Sequence, residues 1–187
     1  MIHIINKKKT LEATIEEMRN FSFSYIEKYA PSKQQLKTYL LKKYLKSSIS
    51  LLKKRDITDL IDLVTEDLEK TKFISDKFYS DSKAKSLIQR GNSINKIRNY
   101  LISKGIKDNY IKETINKIKD KNEDQDFFSA IKICKKKRIG PCRDQNNRSL
   151  FYKKDMSILA RAGFDFETSK KVLELEKEDY QRIVRLL

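Results

Sequence analysis

Four glycines are spread over 187 residues, and three of them, Gly91, Gly105 and Gly163, close apolar stretches with helical spacing. Glycine takes the positive φ that follows a helix end without steric cost, so each marks a stop. Gly105 and Gly163 are each followed by an apolar residue, Ile106 and Phe164, able to fold back over the helix end as in a Schellman cap. The starts are marked as well. Ser32, Asp76, Ser93 and Asp108 stand just ahead of apolar-periodic segments, where a side-chain oxygen satisfies free N–H groups. Ser32 and Gln35 also fit the S-x-x-Q capping box, in which each side chain bonds the other's backbone N–H.

Between Thr71 and Ile118 these signals delimit three short helices in a row: Asp76 to Gly91, Ser93 to Gly105, and one from Asp108. The second carries Ile97 and Leu101, the third Ile111, Ile115 and Ile118. A similar pattern precedes them. Leu11, Ile15 and Met18, then Tyr25, Ile26 and Tyr29, keep helical spacing up to Ala30-Pro31. Leu36, Leu40 and Tyr44 or Leu45 follow Ser32. Ile57, Leu60, Ile61, Val64 and Leu68 form a third stripe after Asp56 or Thr58. A basic connector, Lys46 to Arg55, separates these last two and is expected to be partly helical, while the opening nine residues are an apolar stub with a basic run. The pattern occurs again near Asp126, with Phe127, Phe128, Ile131 and Cys134 on one stripe. Gly140-Pro141 then breaks the chain, and a polar loop is expected up to Asn147. A helix from Ser149 holds Tyr152, Met156 and Leu159, another holds Phe166, Val172 and Leu173, and the tail from Asp179 to Leu187 is helical in spacing.

A unit this small cannot bury its own apolar face, so neighbours must stack. The expected fold is therefore all-α, with tandem three-helix repeats in an elongated, curved helical array of right-handed type. The expected divisions are an N-terminal extension over 1–24, a repeat over 25–72, a repeat over 73–122, and a third over 123–187 that includes the tail.

Charge says what such an array would meet. Lys and Arg number 42 against 26 Asp and Glu, a formal net charge of +16. A field of that sign attracts polyanions, and each phosphate neutralised releases a condensed counterion. A chain rich in Lys, Ile and Asn together is also what an AT-rich genome writes, but that bias alone should not raise Lys so far above the acids. Candidate contact residues fall in two groups: Arg90, Lys96, Arg98 and Lys104 around the second helix of the middle triplet, and Lys135, Lys136, Lys137, Lys153, Lys154 and Arg161 in the third. Tyr79, Tyr100, Tyr110 and Tyr152 lie between them, close enough to apolar stripes to be partly core.

Little points to catalysis. There is no phosphate-binding glycine loop, no nucleophile paired with a base, and two Cys with one His give no metal-site spacing. The expectation is a non-enzymatic protein with no metal or cofactor. No apolar run approaches the ~18 residues needed to span a membrane. The apolar opening precedes its charges instead of following them, unlike an export signal, so a cytoplasmic location with reduced thiols is expected.

The segments F-I-S-D-K-F-Y at 73–79, R-G-N-S-I-N-K-I-R-N-Y-L at 90–101, K-G-I at 104–106 and L-A-R-A-G-F at 159–164 together resemble the RecX family of recombination regulators. Y-I-E-K-Y-A-P-S-K-Q-Q-L at 25–36 is similar to the first-repeat helix pair of that family. The resemblance covers about Tyr25 to Leu175 and rests on order and spacing. It implies tandem three-helix repeats and a monomer that binds the RecA–DNA filament in its groove. It also implies inhibition of the RecA ATPase, strand exchange and coprotease activity, within DNA repair, homologous recombination and the SOS response. Direct contact with single-stranded DNA is implied as well, with double-stranded DNA a further candidate. The long Lys-rich connector from Lys42 to Arg55 departs from the short turn the family uses. The runner-up reading is a stand-alone basic helical-repeat protein that binds nucleic acid.

Overall fold

The computed structural model describes residue 11, residues 13–46 and residues 54–187. The opening stub and most of the basic connector lie outside the described residues. Among the described residues the chain is all-helical, with ten α-helices, one 3-10 turn and no strand. It parts into two compact units, residues 1–79 and 80–187.

In the first unit, α1 (Ile15–Tyr29), α2 (Lys33–Lys46) and α3 (Lys54–Lys70) pack around one core. Thr14 caps α1 by accepting from the Glu17 N–H, and the helix then runs unbroken to Tyr29. The division expected at residue 24 therefore falls inside a helix, because the stripe begun at Met18 continues through Tyr25 and Ile26. On α2 the buried positions are Leu36, Leu40 and Tyr44, whereas Leu45 is 46% exposed. Tyr44 keeps its hydroxyl satisfied by donating to Glu17 at 3.0 Å, which permits its ring to be fully buried. Ile57, Ile61, Val64 and Leu68 form the buried stripe of α3, as the spacing predicts, although the helix starts at Lys54, ahead of both expected starts.

The second unit holds most of α4 (Asp76–Gln89), then α5 (Ile94–Ser103), α6 (Asp108–Lys121), α7 (Gln125–Lys137), α8 (Gln145–Arg161), α9 (Phe166–Leu173) and α10 (Lys177–Arg185). Ile97 and Leu101 of α5 and Ile111 and Ile115 of α6 are buried. A second core gathers Ala130, Ile131, Cys134, Ile139, Leu159, Phe164, Val172, Leu173 and Tyr180. Burial pushes the Cys134 thiol up to about 12, so it stays protonated at neutral pH. The 3-10 turn Gly140–Cys142 follows the expected break. Helix α8 begins at Gln145, four residues before the expected start. One reason is Asp155, buried on α8, which accepts from the Gly140 N–H at 2.8 Å and from Arg143 at 2.7 and 2.8 Å. It fastens the turn against the helix and leaves the intervening residues no room for a long loop.

The glycine stops behave as read. Gly91, Gly105 and Gly163 have φ of +78°, +72° and +91°. After α5, the Gly105 N–H bonds Ile102 and the Ile106 N–H bonds Leu101. After α8, the Gly163 N–H bonds Ala160 and the Phe164 N–H bonds Leu159. These are Schellman pairs, and Ile106 and Phe164 are buried over the ends they close. The serine caps also hold. Ser32 and Gln35 exchange bonds at 3.1 and 3.2 Å, and Ser93 accepts from the Lys96 N–H at 3.1 Å.

The two aspartates read as caps act otherwise. Asp76 is the first residue of α4, and Ser75 supplies the cap oxygen to the Phe78 N–H. The Asp76 carboxylate reaches instead to the first turn of α2, accepting from the Lys33 N–H at 2.9 Å. Asp108 makes no capping bond. Its carboxylate pairs with Lys112 one turn on, at 2.7 Å. Both residues are the first of their helices, one position past the cap.

Candidate functional site

The second unit is the more basic one. Residues 80–187 contain 26 Lys and Arg against 15 Asp and Glu, whereas residues 1–79 contain 16 against 11. Within it, one junction joins the start of α5 to the end of α8. Ser93 lies in extended backbone ahead of α5, and its hydroxyl does two jobs. It accepts from the Lys96 N–H at 3.1 Å and donates to the carbonyl of Ala162, the last cap residue of α8, at 2.9 Å. Asn95 adds a longer bond to the Gly163 carbonyl at 3.4 Å. The positive end of one helix thus faces the negative end of another, which favours the contact electrostatically.

Gly163 is fixed here twice over. Its φ of +91° disfavours any side chain, and a Cβ would stand 2.5 Å from the Ser93 hydroxyl. A third element closes the start of α5 from the other side. Asp126, near the start of α7, accepts from the Ile94 N–H at 2.8 Å. This repeats what Asp76 does for Lys33. In both places an aspartate from the first turn of one helix satisfies the free N–H behind a capping serine. The segments D-K-F at 76–78 and D-F-F at 126–128 carry this match in the sequence, but local spacing marks the first as a self-cap and the second only as a helix start. Half-burial pushes the Asp126 carboxyl above its ordinary range. The Ile94 N–H pulls it back, and Asp165 adds to the upward push.

The junction brings together residues from the two expected clusters. The Lys96 backbone packs against Gly163, and Arg161 ends the adjoining turn of α8. Both side chains are exposed, and Arg161 donates to the Ser157 carbonyl at 3.2 Å. Further back on α8, Lys153 and Lys154 are exposed, and Arg161 lies seven residues beyond Lys154 on the same side. The Lys154 ammonium is 5.7 Å from the Phe151 ring, and the Arg143 guanidinium stacks on the same ring at 4.5 Å. Lys135, Lys136 and Lys137 are exposed in the last turn of α7, where cations also suit the helix dipole.

The middle cluster does not share one face. Lys96 and Arg98 are two residues apart, so they flank buried Ile97 about 200° round the helix from one another. Arg98 and Lys104 are half-buried, and the Lys104 ammonium lies 5.2 Å from the Tyr100 ring. Arg90 is exposed beside Gly91, at the far end of α4. Tyr79 is buried, and Tyr100, Tyr110 and Tyr152 are half-buried, in line with their partial core role.

Sequence reasoning missed the anchors beneath this surface. Asp155 and Arg143 form a pair across the 3-10 turn, and Arg148 donates to the Leu173 and Leu175 carbonyls at 2.8 and 2.6 Å, closing the end of α9. Charge alone gave no sign that these arginines face inward. Among the described residues no cluster of His, Cys, Asp and Glu is arranged to hold a metal ion, and no helix is long and apolar enough to cross a membrane.

No family model matches the chain, and no solved structure matches it. Over 160 residues, 84% of this chain and 84% of the relative, it is 29% identical to the Regulatory protein RecX of Myxococcus xanthus (strain DK1622).

Proposed function

That relative supports membership of the RecX family, and from this premise we propose that the protein is a non-enzymatic regulator of RecA. In this reading it binds the RecA–DNA filament in its groove and lowers ATPase, strand-exchange and coprotease activity, acting as a monomer in the cytoplasm. Its helices group into triplets that succeed one another along the chain. The observation that carries the reading is the likeness to a named regulatory protein over 84% of the chain, long enough to reach into both compact units.

The junction of α5 and α8 suggests where contact is made. Lys96, Lys153, Lys154 and Arg161 offer exposed cations on a rigid base, with Lys135 to Lys137 on the last turn of α7. Lysines and arginines on fixed helices suit either filament phosphates or acidic side chains of the recombinase. Arg90, Arg98 and Lys104 contribute to the field more than to one contact face.

The test is a titration into the DNA-dependent ATPase of the cognate RecA. Inhibition at substoichiometric ratios is expected. An unchanged ATPase up to excess protein, with no binding to the filament, overturns the reading. The high positive charge of residues 80–187 favours the second reading, a nucleic-acid-binding protein that acts without RecA. Salt separates the two: charge-led DNA binding weakens steeply between low and moderate salt, whereas specific association with DNA-free RecA should persist.

A further inference from the structure

The first unit carries an aromatic surface that the basic clusters do not include. Tyr25 of α1 and Tyr39 of α2 stack face to face, 4.1 Å between ring centres and 8° between planes. Tyr29 continues the row at 4.8 Å from Tyr25 and is 54% exposed. Each stacked tyrosine has a lysine three residues on, Lys28 on α1 and Lys42 on α2, and both lysines are exposed. That spacing puts ring and cation on the same side of each helix. The helices run in opposite senses, since Tyr25 meets Tyr39 whereas the earlier Phe21 meets the later Tyr44. The two lysines therefore bracket the rings from opposite ends.

The cations of α2 sort into two sets. Lys33 and Lys37 are neutralised by α3, through Glu69 at 2.5 Å and Asp62 at 2.6 Å. Among the described residues Lys28, Lys42 and Lys43 pair with no carboxylate. Lys43 lies instead 3.6 Å from the centre of the Phe21 ring, and Lys28 lies 5.3 Å from that of Tyr29. A ring as exposed as Tyr29, beside cations that pair with no carboxylate among the described residues, is what an unpaired base and its phosphates require.

We propose that the face shared by α1 and α2 is a stacking site for single-stranded nucleic acid, with a base against Tyr29 and neighbouring phosphates at Lys28 and Lys42. It lies wholly within the first unit and requires no RecA. A duplex keeps its base faces inside the helix and cannot use the rings, so the site discriminates strand state through Tyr29. The lysines attract either form.

The experiment uses the full chain with a 20-residue oligothymidylate and a duplex of the same length, each followed by fluorescence anisotropy at fixed salt. The chain has no Trp, so quenching of tyrosine emission by the single strand is expected alongside. Tyr29→Ala should weaken single-strand binding about tenfold and leave duplex binding unchanged, and Tyr29→Phe should bind as the wild type does. The double variant Lys28→Gln, Lys42→Gln should flatten the salt dependence of single-strand binding by about 1.4 in log–log slope. Circular dichroism checks that each variant is folded. The proposal is overturned if the wild type does not bind the single strand, if folded Tyr29→Ala binds it unchanged or loses both ligands equally, or if the lysine variant leaves the slope unaltered. Because RecA is absent throughout, these outcomes are independent of whether the protein regulates it.

Discussion

The starts of α2 and α5 are built on one plan and finished differently. Each has a capping serine, Ser32 or Ser93, and each receives an aspartate from a following helix, Asp76 or Asp126. At α2 the serine is answered by Gln35 three residues on, whose side chain accepts from the Ser32 N–H. At α5 that position is Lys96, which cannot accept a hydrogen bond. The Ser93 hydroxyl turns to the end of α8, and the side chain at position 96 is left in solvent. One start carries a capping box. The other is bonded to the end of α8 and sets out a cation. A single residue type, Gln or Lys at the third helical position, separates a structural cap from a candidate contact surface.

The largest effect should come from breaking the joint. Gly163→Val places a Cβ 2.5 Å from the Ser93 hydroxyl and forces a branched residue to positive φ. Left-handed backbone costs about 1–2 kcal/mol for such a residue, and loss of the cap costs about 1 kcal/mol more. A fall of roughly 2–3 kcal/mol in urea unfolding is expected, and an unchanged midpoint would show that the two helix ends are not coupled. Ser93→Ala removes a cap and an inter-helix bond and should cost about 2 kcal/mol in the same assay. A loss of only the ~1 kcal/mol that a cap contributes would mean that the bond to Ala162 contributes nothing.

Much of this was legible in the sequence. Apolar stripes and glycine stops depend on spacing along one helix, and the buried positions Leu36, Leu40, Ile97, Leu101 and Leu159 fall where the period puts them. Ser32 and Ser93 were readable for the same reason, since a cap acts within four residues. Asp76 and Asp126 were not, because their partners are 43 and 32 residues away and local rules describe only the nearer alternative. The candidate surface failed in a related way. Clustering in sequence grouped Lys96 with Arg98, but helix geometry sends them to opposite flanks and joins Lys96 to the end of α8 instead.

Asp126 gives a smaller effect with a definite sign. Its folded carboxyl is raised above the unfolded value of about 3.9, chiefly by burial. A raised carboxyl favours the fold while both states are protonated, and that contribution is lost as pH rises through the folded value. Asp126→Asn keeps an oxygen for the Ile94 N–H and removes the charge. Its stability relative to the wild type should therefore improve between about pH 4 and pH 7. Asp126→Ala, which also loses the acceptor, should be less stable than Asp126→Asn across that range. Urea midpoints at the two pH values decide it. A difference between Asn and wild type that is flat with pH would show that the carboxyl is not raised.

The smallest change in stability should come from turning one start into the other. Lys96→Gln gives α5 the sequence S-x-x-Q that α2 already has, and a box bond back to the Ser93 N–H becomes available. The gain should be no more than about 0.5 kcal/mol, because the Ser93 hydroxyl already caps the helix and the new glutamine is exposed. Any loss of function therefore cannot be laid to unfolding. If the lysine stands at this position for contact with a polyanion or a filament, Lys96→Gln should weaken inhibition of the RecA ATPase in a protein at least as stable as the wild type. If inhibition is undiminished while stability rises, position 96 is only an unfinished cap, and the contact must be sought in Lys153, Lys154 and Arg161 along α8.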